Sequence, residues 1–100
     1  MKMVMSIVRT ISLDRIVEDL QDIGIRDMTI SNIEGTGEEV TLFKHYTIHK
    51  MIQIIVPDNK VDEVADLILR SAHSGLAGDG IIAVHPVDYM VRIRTKERFD

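Results

Sequence analysis

The run Ser74-Gly75-Leu76-Ala77-Gly78-Asp79-Gly80 constrains this chain most. It sets three glycines within six positions, between a helical pattern and an apolar strand-like run. Glycine takes positive φ and lets backbone N–H groups approach a ligand closely. Successive N–H groups of that kind form an anion-binding concavity. The order here is helix, loop, strand, which separates it from Walker and Rossmann loops, where a strand leads into the loop and a helix follows. Twelve residues beyond Gly80 stand Arg92 and Arg94. On an extended strand, positions i and i+2 share a face, and two guanidiniums on one face suit a phosphate chain. Spacing alone leaves a second reading open, a helix C-cap followed by a tight turn with both arginines solvated.

The flanking sequence predicts the elements that carry this loop. Met3 to Arg9 reads as a buried strand. Ser12 is placed to cap a helix, in which Leu13, Ile16, Val17 and Leu20 recur at helical spacing. Gly24 stands where a C′ glycine ends such a helix. Ile25 to Ile33 reads as a second strand, and Tyr46 to Val56 as a third and most apolar one. The polar stretch between them, from Glu34 to about Lys44, reads as an exposed loop longer than a simple hairpin needs. Asp58 is placed to cap a second helix, with Val61, Val64, Ala65, Ile68 and Ala72 as its apolar stripe. Ile81 to His85 reads as a fourth strand, with Pro86 at its end or on a sheet edge. Val87 to Arg94 reads as a further short strand, followed by a charged tail. The order βαββαβ predicts an α+β, ferredoxin-like fold, an antiparallel sheet with two helices on one face. The strands are apolar on both faces while two helices cover only one. The bare face points to self-association.

One hundred residues, 45% hydrophobic and 28% charged, make a globular chain read as a single domain over residues 1–100. A net charge of −4 argues against general nucleic-acid binding. The lack of cysteine removes disulfides and thiolate metal sites. No apolar run is long enough to span a membrane, and the expectation is a soluble cytoplasmic protein. His45 and His49 are weak metal candidates, because no fixed carboxylate accompanies them. Asp79 lacks a nucleophile or histidine partner in sequence, so a turn-forming role suits it better than general-base work. Nothing in the sequence makes a case for an enzyme.

Read together, the glycine loop and the arginine pair identify a wider pattern. The chain resembles the PII signal-transduction family over nearly its whole length. The resemblance runs through Leu13-Asp14-Arg15-Ile16-Val17, Ile23 to Ile30, Gly35-Thr36-Gly37 and Ile54-Ile55-Val56-Pro57-Asp58. Ser74 to Gly80 and Val91 to Arg98 are its most specific blocks. It implies a homotrimer that binds adenine nucleotides (ADP, AMP or ATP, with magnesium an open question) in clefts between subunits. Thr29 would then read the adenine edge, with Ile7, Gly35, Gly37 and Ile55 as walls around base and ribose. Gly78, Asp79 and Gly80 would wrap the phosphates, and Arg92 and Arg94 would reach them from the other side. The loop at about 37–46 would grip a target transporter or enzyme.

Three positions depart from that pattern. Ile81 stands where the family has a phosphate-binding lysine. Glu39 stands about where a glutamine helps hold magnesium and 2-oxoglutarate. His49 aligns with a lysine that pairs with the 2-oxoglutarate carboxylate, and the loop itself is shorter. The expectation is therefore a non-enzymatic regulator that binds an adenine nucleotide. The alternatives are a metal-binding or metal-tolerance trimer of similar fold, and a structural trimer without a ligand.

Overall fold

The computed structural model describes residues 1–35 and 49–100. In chain order the elements are β1 (Lys2–Arg9), α1 (Leu13–Asp22), β2 (Thr29–Ile33), β3 (His49–Val56), α2 (Val61–Ala72), β4 (Gly80–Pro86), β5 (Met90–Arg92) and β6 (Glu97–Phe99). The first four strands form one sheet in the order β2-β3-β1-β4, and each adjacent pair is antiparallel. This is the ferredoxin-like order: each helix links two strands that lie one strand apart.

Alternation along the strands decides which side is core. Val4, Ser6 and Val8 of β1 are buried, as are Ile52, Ile54 and Val56 of β3. The apolar ones among them meet Ile16 and Leu20 of α1 and Val61, Val64, Leu67 and Ile68 of α2 in one cluster. Leu67 belongs to the buried face of α2, although the predicted stripe passed it over. Met3, Met5 and Ile7 alternate with the buried positions of β1 and so line the sheet face away from the helices.

The ends of α1 follow the sequence only in part. Gly24 has φ 91°, its N–H reaches the Gln21 carbonyl, and the Ile25 N–H reaches the Leu20 carbonyl, both at 3.0 Å. That is a Schellman end. It sends Ile25 back onto the core rather than into a strand, so β2 starts at Thr29 and not at Ile25. Neither predicted N-cap side chain works as one. Ser12 ends a 3-10 turn at Thr10–Ser12 and makes no capping hydrogen bond. Asp58 opens a second 3-10 turn at Asp58–Lys60, and its Oδ1 accepts the Met1 amine at 2.6 Å.

The C-terminal region also differs from its predicted form. β5 and β6 make a separate antiparallel hairpin, pairing Met90 with Phe99 and Arg92 with Glu97. The turn closes with the Lys96 N–H on the Arg92 carbonyl at 2.8 Å, and Lys96 itself takes φ 63°. The predicted strand to Arg94 therefore stops at Arg92, and the charged tail supplies its partner strand. The start of the third strand at Tyr46 and most of the loop expected from Glu34 to about Lys44 lie outside the described residues.

Candidate functional site

The glycine loop is built around one carboxylate. Asp79 Oδ2 accepts the Ser74 N–H at 2.8 Å and the Gly75 N–H at 2.9 Å, and Oδ1 accepts the Ser74 hydroxyl. Arg9 Nε lies 3.3 Å from Oδ1, and His73 Nδ1 lies 3.9 Å from Oδ2. The Asp79 side chain is only 16% exposed. The Ser74 hydroxyl and then the Ser74 N–H, with the Gly75 N–H and Arg9 adding less, hold its carboxyl down at about 2 against the opposing effect of burial. Asp79 is therefore a fixed anion that organises the loop, and its donors exclude a general-base role. Part of the anion-binding capacity read from the glycines is already taken by this internal carboxylate.

Beneath the loop, Arg9 donates from Nη2 to the Ala77 carbonyl at 2.6 Å, and His49 Nε2 lies 3.1 Å from the Gly78 carbonyl. Gly78 and Gly80 have φ 89° and 111°, which side-chain-bearing residues rarely adopt.

Two clefts collect most of the predicted site residues. The first, about 710 Å³, runs between the loop, β1 and α2 and is lined by Ile7, Asp79, Gly80 and Ile81 with Leu69 and His73. Ile81 is 41% exposed there and brings no charge. The second, about 580 Å³, is lined by Thr29, Ile55 and Arg92 with Arg26, Met28 and Gln53. Thr29 faces Gln53 directly across the β2–β3 pair. The two clefts share no residue.

The remaining expectations fare differently. Arg92 lies on β5 with its guanidinium 5.6 Å from the Phe99 ring centre. Arg94 sits in the turn between β5 and β6 and lines neither cleft, so the two arginines do not share a strand face. Gly78 is buried under the loop, and Gly35 is exposed and lines neither cleft. Gly37, Glu39 and His45 lie outside the described residues. His49 is engaged by the loop carbonyl, and the described residues contain no group of three or more His, Asp or Glu side chains able to hold a metal. Sequence reading missed Arg9, because one cation at the end of an apolar strand carries no signal of its own. It missed Gln53 because alternation alone does not say which outward residues border a cleft.

The sequence pattern of the family described as Nitrogen regulatory protein P-II matches residues 1–97. The chain belongs to the P-II family. It is 37% identical to a Nitrogen regulatory protein P-II of Microchaete diplosiphon, with 98% of this chain and 96% of that protein aligned. It is 36% identical to the Nitrogen regulatory protein P-II 1 of Escherichia coli, with 100% of this chain and 97% of that protein aligned. The latter alignment runs over 109 positions and holds all 100 residues of this chain, so about nine positions are filled by the relative alone. Membership makes this a P-II-type signalling protein rather than an enzyme. No described helix is long and apolar enough to cross a membrane.

Proposed function

We propose that this P-II protein binds an adenine nucleotide across two copies of the chain and signals its occupancy to a transporter or enzyme in the cytoplasm. The observation that carries the reading is the division of the predicted site between two separate clefts. Thr29, Ile55 and Arg92 line one, and Ile7, Asp79 and Gly80 line the other. A ligand that needs both sets is best served when the first cleft of one protomer meets the second of its neighbour. Unlike surfaces that meet in this way form a ring where the rotation closes, and the family resemblance favours a homotrimer. The apolar sheet face around Met3, Met5 and Ile7 offers the contact that such a ring would bury.

Each group has a chemical task. Thr29 has a hydroxyl that both donates and accepts, which suits the edge of a base. Ile7 and Ile55 supply apolar walls. Arg92 supplies a permanent positive charge for phosphate. Backbone N–H groups at Gly78–Gly80 complete the phosphate contacts, because those of Ser74 and Gly75 are engaged by Asp79. Magnesium finds no free carboxylate at Asp79, whose two oxygens are held by loop donors and Arg9. With Ile81 in place of a cation, extra phosphates gain little, so ADP or AMP binds at least as well as ATP. The segment at 37–46 is assigned the contact with the target.

Calorimetry with ATP, ADP, AMP and GDP tests the reading. Thr29→Val keeps shape and removes the hydroxyl, and should weaken adenine nucleotides more than GDP. Arg92→Ala should weaken the adenine nucleotides by about ten- to a hundredfold, the effect of losing one charge-assisted contact. Equal losses for both bases, or no loss from Arg92→Ala, would show the site to be misassigned.

A further inference from the structure

Arg9 and His49 are direct partners across the β1–β3 pair. They hold two consecutive carbonyls of the glycine loop, Arg9 that of Ala77 and His49 that of Gly78. A carbonyl oxygen can only accept, so His49 Nε2 carries the proton in this contact. His49 stands on the sheet face away from the helical core, where neighbouring residues remain partly exposed, yet it is 1% exposed itself. Gly78 is buried too. A buried polar contact of this kind has no water to replace it, so either partner left alone would be costly.

We propose that His49, braced by Arg9, is the positioning residue of the glycine loop, fixing the Gly78–Gly80 backbone in the conformation an anionic ligand meets. The identity of that ligand as an adenine nucleotide rests on the reading above.

The test uses the full chain in three forms, the parent, His49→Gln and His49→Leu. Glutamine places an amide N–H near the position of Nε2, whereas leucine fills the space and offers no donor. Two readings are taken, amide exchange at Gly78–Ile81 without ligand and the affinity for ADP. His49→Leu should speed exchange there and weaken ADP on the order of tenfold, while His49→Gln stays near the parent in both. If His49→Leu fails to fold, His49→Asn replaces it, since its amide falls short of Gly78. Parent-like exchange in both His49→Leu and His49→Asn overturns the proposal. So does equal loosening in His49→Gln and His49→Leu, which would mean bulk rather than the hydrogen bond matters. Should the parent bind no ADP, the nucleotide reading fails, and exchange at Gly78–Ile81 still decides the role of His49.

Discussion

A Cβ placed on Gly80 would stand 1.7 Å from the carbonyl oxygen of Ile7 and 2.8 Å from its carbonyl carbon. The first residue of β4 thus lies against the β1 backbone with no room for a side chain, at φ 111°. Both conditions demand glycine, and the clash is with backbone, which has no rotamer to change. Gly80→Ala should cost upwards of about 3 kcal/mol, at the severe end of single substitutions. Gly75 at φ 87° has nothing within 4 Å of its would-be Cβ, so Gly75→Ala should cost only the strain of that φ, about 1–2 kcal/mol. Denaturant unfolding of both variants checks the ranking, and a Gly80→Ala as mild as Gly75→Ala would refute the close approach.

The loop carries its own pH dependence. Asp79 titrates at about 2 in the fold, below its ordinary 3.8. A folded value below the unfolded one means that the native loop resists protonation. Its contribution is therefore complete above about 3.8 and is lost as pH falls towards 2. Amide shifts of Ser74 and Gly75 should titrate with a midpoint near 2, and Asp79→Asn should abolish that transition. A midpoint near 3.8 would mean that the donors do not hold the carboxylate.

Much of this loop was foreseeable in kind and not in detail. Three glycines between a helix and a strand announce positive φ and close backbone approach; Gly75, Gly78 and Gly80 all show the first, and Gly80 shows the second. Nothing local announces that Asp79 turns inward, because its donors come from Ser74, five residues back, and from Arg9 on another strand. The same limit hides His49, where alternation assigns a face but says nothing of what lies on it. β6 was missed because its turn uses Lys96 at φ 63°, where a glycine or asparagine would have flagged a hairpin. By contrast β1, β3, α1 and α2 are set by apolar periodicity, and their described extents follow it within a few residues.

Ser6 offers a test of the core alone. It is fully buried, directly opposite Ile52 and Ile82 on the neighbouring strands, and its hydroxyl has no hydrogen-bond partner among the described residues. Burying a hydroxyl without a partner is unfavourable. Ser6→Ala should therefore be neutral or stabilise by up to about 1 kcal/mol, the lower end of that desolvation cost. Thermal unfolding decides it, and a clear loss of stability would reveal a partner for this hydroxyl.

Ile81 is the position at which nucleotide preference should be adjustable. It lines the loop cleft beside Asp79 and Gly80 and is exposed enough to accept a longer polar side chain. Ile81→Lys should strengthen ATP on the order of tenfold, as one added charge-assisted contact would, and should change AMP less. An equal gain for ATP and AMP would place Ile81 away from the outer phosphates.

The shared site itself is tested most directly by mixing chains. Arg92→Ala disables one cleft, and Ile81→Glu sets a negative charge in the other. Each variant alone should bind ADP poorly. Unfolded together in equal amounts and refolded, they should regain binding at about one interface in four, where an intact loop cleft of one chain meets an intact Arg92 cleft of the next. Recovery near that fraction supports a nucleotide held between two copies of the chain. No recovery from a mixture that has demonstrably co-assembled would contradict it and confine the site to a single chain.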